Sequence, residues 1–165
     1  MSEKGKTPSI TAIMEEYKRQ GKTLTTEEAE EIRRNTQDAD SEACHKLVSD
    51  AQTAIASAST YQAIADILSK LRTDLANQVA AEKLAAAKDS GNAHVSNSYP
   101  QATSEACQAI RTQAHTDIDA ATSVDEVNAV VERFDKDMEA QIKKEEEEKK
   151  AEEHTDGTEK PEGTE

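Results

Sequence analysis

The stretch EACHKLVSDAQTAIASASTYQAIADILSKLRTDLANQ, residues 42–78, decides the fold because its pattern recurs 63 residues later. The matching stretch is EACQAIRTQAHTDIDAATSVDEVNAVVERFDKDMEAQ, residues 105–141, and the two align without a gap. Nine positions are identical: Glu42/Glu105, Ala43/Ala106, Cys44/Cys107, Ala51/Ala114, Thr53/Thr116, Ile55/Ile118, Ala58/Ala121, Asp74/Asp137 and Gln78/Gln141. Further apolar positions correspond: Leu47/Ile110, Ile64/Val127, Ile67/Val130, Leu68/Val131, Leu71/Phe134 and Leu75/Met138. We interpret the pattern as an internal repeat of about 63 residues.

Each copy is predicted to form a helical hairpin. The first arm of copy one has apolar residues at i, i+3 and i+4 spacing: Cys44, Leu47, Val48, Ala51, Ile55 and Ala58. A break follows, SAST at 57–60 and ATS at 121–123, and Ser123 with Glu126 has the spacing of a capping box. The return arm should therefore begin at the Ser/Thr pair in both copies. Because an amphipathic hairpin must cover its apolar face, we expect the two hairpins to bury each other in an all-α bundle.

Shorter helices are predicted before the repeat. Ile10, Ile13, Met14 and Tyr17 have helical spacing after Pro8, and we expect these side chains to contribute to the core. A second helix should start in TLTTEEAEEIRR, residues 23–34, where Thr25 and Glu28 have capping-box spacing.

The predicted organisation has five segments. Residues 1–40 are an N-terminal helical segment, 41–88 the first hairpin, 89–103 a linker containing Gly91 and Pro100, and 104–150 the second hairpin. Residues 151–165 form an acidic tail without core-forming residues, which we expect to be disordered, whereas KKEEEEKK before it can prolong the last helix through charge pairs.

Composition supports the helical class and limits the partners. Aromatic residues make up only 2% of the chain, and the net charge is −14. Because phosphate backbones are bound by clustered Lys and Arg, this charge argues against nucleic acid as a partner. No apolar run approaches the roughly 20 residues that cross a bilayer, so membrane insertion is not expected. The N-terminus is too polar for a secretory signal, which leaves either a cytosolic protein or a piece of a larger one.

The two cysteines, Cys44 and Cys107, occupy equivalent positions in the two copies. In an up-down-up-down bundle they would lie at the same height, and we predict that they form a disulfide, which requires their Cα atoms to come within about 7 Å. Such a bridge would stabilise the fold by about 4 kcal/mol and would imply an extracellular setting. The alternative is two small buried residues with free thiols.

No motif predicts catalysis or a cofactor. A zinc site could use Cys44 and Cys107 with His45 or His115, but the short ligand spacings typical of zinc are absent. Phosphate-binding loops, H-E-x-x-H and G-x-S-x-G arrangements are also absent. We therefore expect a non-enzymatic protein with no metal and no cofactor.

The run DIDAATSVDEVNAVVERFDKDMEA, residues 117–140, resembles helical repeats of cell-wall-anchored surface proteins of Gram-positive bacteria. These include extracellular-matrix-binding repeats and albumin-binding modules, and the matching residues are Ile118, Ala121, Val124, Glu126, Val127 and Asn128. The tail GTEKPEGTE resembles the spacers of such proteins, although the cysteine pair departs from the family pattern. The resemblance implies an extracellular adhesin or spacer module that binds a host or matrix protein through a helix face. We expect a monomer, because the two hairpins can already cover each other's apolar faces. The alternative is a cytosolic adaptor that dimerises through its apolar stripes and keeps its cysteines reduced.

Overall fold

The computed structural model describes residues 9, 12, 13 and 23–156, with side chains described at 9, 12, 13 and 26–154. Five helices cover most of the range from Thr23 onward: α1 Thr23–Asn35, α2 Glu42–Ser57, α3 Tyr61–Asn97, α4 Glu105–Ala120 and α5 Val124–Asp156. The described residues contain no β-strand, which confirms the all-α prediction. None of the helices in this part of the chain is both long enough and apolar enough to cross a membrane.

The chain divides into two compact units, Met1–Glu82 (unit 1) and Lys83–Glu165 (unit 2). The boundary falls within α3, so its first part belongs to unit 1 and its second part to unit 2. Each unit has its own hydrophobic core and is described separately below.

The core of unit 1 joins α1, α2 and the first part of α3. Its buried residues are Ile13, Ala29, Ile32, Ala39, Cys44, Val48, Ala51, Ile55, Ile64, Leu68, Leu71, Leu75 and Val79. Ile13 is 3% exposed, which confirms its predicted place in the core, whereas Ile10, Met14 and Tyr17 lie outside the described residues. Helix α1 begins at Thr23, two residues before the predicted start at Thr25.

The core of unit 2 joins the second part of α3 to α4 and α5. Its buried residues are Val95, Ala102, Cys107, Ala114, Ile118, Ala121, Val127, Val130, Phe134 and Met138. Gly91 lies in the helix and faces this core, where an added Cβ would come within 3.1 Å of Val127 Cγ1 and 3.3 Å of Ile118 Cδ1. Glycine at this position therefore allows α3 to approach its neighbours closely, despite its poor helix propensity.

Both predicted hairpins are present, and the apolar stripe of each is buried in the core of its own unit. The predicted linker 89–103 is shorter than expected, because α3 continues to Asn97 and only residues 98–104 lie outside helices. Leu84, Ala87, Gly91 and Val95 have helical spacing that the surrounding Asn, Ser and Gly residues obscured. Helix α5 also continues to Asp156, six residues into the predicted tail, and the rest of that tail lies outside the described residues.

Side-chain caps fix the starts of the hairpin helices. Thr60 Oγ1 accepts from Ala63 N at 3.1 Å, and the equivalent Ser123 Oγ accepts from Glu126 N at 3.1 Å. The Glu126 carboxylate accepts from Thr122 N at 2.6 Å, which completes the box one residue earlier than the usual pattern. The predicted starts of both return arms are confirmed.

Candidate functional site

Cys44 and Cys107 are free thiols, each completely buried in the core of its own unit. The disulfide expected from the sequence is not present in the structure. Each cysteine packs among the helices of its own unit. Their matched positions follow from the same local role, repeated in each unit.

That role is part of a hydrogen-bonded cluster, here called the cap network, formed in unit 1 by Ser41, Cys44, Gln78 and Glu82. Ser41 caps α2, since its Oγ accepts from Cys44 N at 3.2 Å. The Ser41 hydroxyl donates to Glu82 Oε1 at 2.5 Å, and Gln78 Nε2 donates to the same oxygen at 3.0 Å. The network thus ties the start of α2 to α3.

Unit 2 repeats the cap network at Ser104, Cys107, Gln141 and Glu145, each 63 residues further along. Ser104 Oγ accepts from Cys107 N at 3.2 Å, and Gln141 Nε2 donates to Glu145 Oε1 at 3.1 Å. The Cys107 thiol lies 3.9 Å from Glu145 Oε2, within reach of a weak hydrogen bond.

Hydrogen bonds within the cap network lower the pKa of the glutamate in each unit. The Ser41 hydroxyl and then the Gln78 amide lower the pKa of Glu82 below its ordinary value. The Ser104 hydroxyl and then Gln141 lower the pKa of Glu145. Both carboxylates are therefore stabilised in the charged form, because their donors favour the anion.

Sequence reasoning identified Cys44/Cys107 and Gln78/Gln141 but missed Ser41/Ser104 and Glu82/Glu145. These four residues lie just outside the aligned stretches, one residue before the start and four residues after the end. Extending the same alignment in both directions would have found them.

A second repeated feature is a shallow groove between the two arms of each hairpin, here called the hairpin groove. It measures about 220 Å³ in unit 1 and about 270 Å³ in unit 2. Seven lining positions are equivalent: Leu47/Ile110, Asp50/Gln113, Ala51/Ala114, Ile67/Val130, Lys70/Arg133, Leu71/Phe134 and Asp74/Asp137. Ala54 completes the lining in unit 1 and Ala109 in unit 2. The apolar floor and charged rim are therefore properties of the repeat.

The cation on each rim is held by a different carboxylate. Lys70 pairs with Asp74 one turn along α3, whereas Arg133 on α5 pairs with Asp117 on α4. Gln113 Nε2 also donates to Asp117 at 2.8 Å. Each groove can accept an apolar side chain on its floor and a polar or charged group at its rim.

The residues considered for a metal site are not brought together. Cys44 and Cys107 belong to different units, and His45 is exposed. His115 Nδ1 lies 2.7 Å from Asn92 Oδ1 and joins α4 to α3. Across the described part of the chain, no group of three His, Cys, Asp or Glu side chains is placed to hold a metal ion.

No protein-family model, curated protein or solved structure matches this chain. The resemblance to surface-protein repeats therefore stays a prediction from the residues that carry it.

Proposed function

We propose that this protein is a non-enzymatic helical module of a bacterial surface protein, acting as an adhesin or spacer unit that binds another protein through its helix faces. The observation that carries the proposal is the repetition of the hairpin groove at seven equivalent positions. Core packing accounts for the buried members of this set, and exposed Lys70 and Arg133 extend the correspondence to the solvent side. An exposed charge of the same sign at both grooves supports recognition of similar segments.

The size of the grooves supports a protein partner over a small molecule. Each volume, about 220 and about 270 Å³, lies below the usual range of small-molecule pockets, about 300–1,000 Å³. A helix face or extended segment can instead place single side chains into such grooves and gain further contacts along the helices. The proposed module is monomeric, extracellular and part of a longer cell-wall-associated protein.

The test uses arginines that fill the grooves from exposed positions. Ala54→Arg and Ala109→Arg each place a long side chain at a groove, and arginine preserves helix propensity. We expect the immobilised protein to bind a member of a panel of host extracellular and matrix proteins, albumin included, with about tenfold weaker binding in the double variant. Ala76→Arg with Ala140→Arg is the matched control, since both alanines are exposed and line neither groove. Absence of any bound protein would contradict the adhesin role, and equal losses in both double variants would contradict the grooves.

A second candidate is a cytosolic adaptor that dimerises through its helices, and the free, buried cysteines favour it. A reducing compartment keeps such thiols unbridged without further protection. The intact mass of the protein distinguishes free thiols from a disulfide when it is purified without reductant, denatured and alkylated. Two alkylated cysteines favour the adaptor. An unalkylated monomer that is two mass units lighter would show that the disulfide forms and would favour the surface module. Light scattering gives the second comparison, since we expect a monomer for the surface module and a dimer for the adaptor.

A further inference from the structure

Unit 2 has another groove, here called the loop groove, which lies between the 98–104 loop and α5 and measures about 600 Å³. The loop side is formed by Tyr99, Pro100, Gln101 and Ala102, and the helix side by Ile142, Glu145, Glu146, Glu148, Lys149 and Glu152. It is larger than either hairpin groove, and it borders the cap network at Glu145.

The loop wall is held in place by Arg111. Its Nη1 donates to Ala102 O at 2.6 Å, and its Nη2 donates to Tyr99 O at 2.6 Å and to Ser98 O at 3.0 Å. Three carbonyls bound to one guanidinium fix the course of the loop, so a partner would lose little free energy in ordering it.

Tyr99 has a backbone conformation that is unusual for a bulky residue, with φ at 55°. Its ring packs edge-on against Phe134 with centroids 6.0 Å apart, and its hydroxyl lies 3.3 Å from both Asp135 and Glu139. Burial, followed by the charges of these two carboxylates, raises the pKa of Tyr99 to about 12. The phenol therefore stays neutral and serves as a fixed side of the groove.

The chemistry of the lining is an apolar floor beside an acidic rim. Ile142 and Ala102 pack against the core of unit 2, and Pro100 is exposed at the loop. Four glutamates line the helix side and one lysine, Lys149, lies among them. Negative potential at the rim therefore attracts cations, while the floor favours an apolar side chain.

We propose that the loop groove binds a protein segment in which an apolar side chain is flanked by lysine or arginine. The apolar side chain would lie against Tyr99, Pro100 and Ile142, and the flanking cations would face Glu146, Glu148 and Glu152. This goes beyond the proposed binding at the hairpin grooves, because it assigns a different surface and a partner of defined charge.

The test measures fluorescence anisotropy of a fluorescein-labelled peptide with two central leucines, flanked on both sides by lysine and arginine. The groove variant is Glu146→Gln with Glu148→Gln, and the matched control is Glu147→Gln with Glu153→Gln, which removes equal charge from the same helix outside the groove. We expect about fivefold weaker binding in the groove variant and less than twofold in the control. Replacing the leucines of the peptide with alanine should also weaken binding at least fivefold.

Equal losses in the two variants would overturn the proposal, since they would indicate attraction by overall charge. So would equal affinity for the leucine and alanine peptides, and so would the absence of binding. These outcomes are independent of the hairpin grooves, because neither variant changes a residue that lines them.

Discussion

In both units an arginine side chain holds the loop before the hairpin by donating to a backbone carbonyl. The carbonyls are equivalent in the two units, but the arginines are not. Ala39 O accepts from Arg33 Nη1 at 3.1 Å, and the equivalent Ala102 O accepts from Arg111 Nη1 at 2.6 Å. Arg33 lies on α1, before the loop, whereas Arg111 lies on α4, after it. A buried carbonyl needs a donor, and the long guanidinium side chain can reach it from either helix.

The cap network shows the opposite behaviour, since all of its members keep the 63-residue offset. A serine cap must directly precede its helix, and its glutamate partner must lie at one height on the facing helix. The residues of the cap network therefore keep equivalent sequence positions in both copies of the repeat. The loop arginine can differ in sequence position, because its long side chain reaches the same carbonyl from either helix.

The largest effects on stability should come from the equivalent core residues Phe134 and Leu71. Phe134 is 1% exposed and contacts the rings of both His94 and Tyr99, whereas Leu71 is 3% exposed. We expect Phe134→Ala to reduce the free energy of unfolding by about 4 kcal/mol and Leu71→Ala by about 3 kcal/mol. Urea unfolding followed by circular dichroism measures both, and a smaller effect at Phe134 would contradict the prediction.

The next effect should come from Gly91, whose equivalent in unit 1 is Glu28. A leucine at 91 would press on Val127, Ile118 and Val131, so we expect Gly91→Leu to destabilise the protein by about 2 kcal/mol. Glu28→Leu is the matched control, since Glu28 is only half-buried, and should change stability by less than about 0.5 kcal/mol. Thermal unfolding of the two variants tests this, and an equal change in both would show that position 91 is not closely packed.

The two loop arginines, Arg111 and Arg33, should differ less in how much they contribute to the stability of the protein. Arg111→Ala leaves three carbonyls without their donor, and we expect a loss of about 2 kcal/mol. Arg33→Ala removes one carbonyl bond together with contacts to Glu30 and Asp40, and we expect a smaller loss than at Arg111. Hydrogen exchange of the loop amides should accelerate more in unit 2 than in unit 1, and the reverse order would contradict this interpretation.

The smallest effect should be a pH dependence shared by both units. Hydrogen bonds lower the pKa of Glu82 and Glu145 in the folded protein from an ordinary value of 4.5. The stabilisation is therefore complete above that value and is lost as the pH falls through the lower folded pKa. Glu82→Gln and Glu145→Gln should each make the urea midpoint less dependent on pH below about 4.5. Glu147→Gln is the exposed control and should leave the pH dependence of the urea midpoint unchanged. An unchanged pH dependence in Glu82→Gln or Glu145→Gln would contradict the cap network of that unit.

Sequence reasoning predicted much of the fold because caps and apolar spacing are local. The hairpins, the starts at Thr60 and Ser123, and the burial of Ile13 all follow from such signals. It did not predict that residues 83–97 form the first helix of unit 2, since Gly91 and the nearby Asn and Ser residues are typical of loops. That glycine is explained by close packing against Ile118, Val127 and Val131, which lie 27 to 40 positions away in the sequence.

The candidate site was less predictable for the same reason. The cysteines stood out because they are rare, but their environment depends on which helices pack together. The hairpin grooves combine residues of two helices, and the loop groove combines a loop with residues of α5 that lie at least 40 positions later. The charge of individual residues can be read from the sequence, whereas the surface they share requires the fold.

The burial of one thiol in each unit means that the protein contains its own probes of local opening. A cysteine reagent reaches Cys44 or Cys107 only when the surrounding helices separate, because both side chains are completely shielded in the folded state. Digestion and mass spectrometry would give a separate alkylation rate for each cysteine in the unmodified chain. The ratio of those rates would measure how far two copies of one sequence pattern have diverged in their resistance to unfolding.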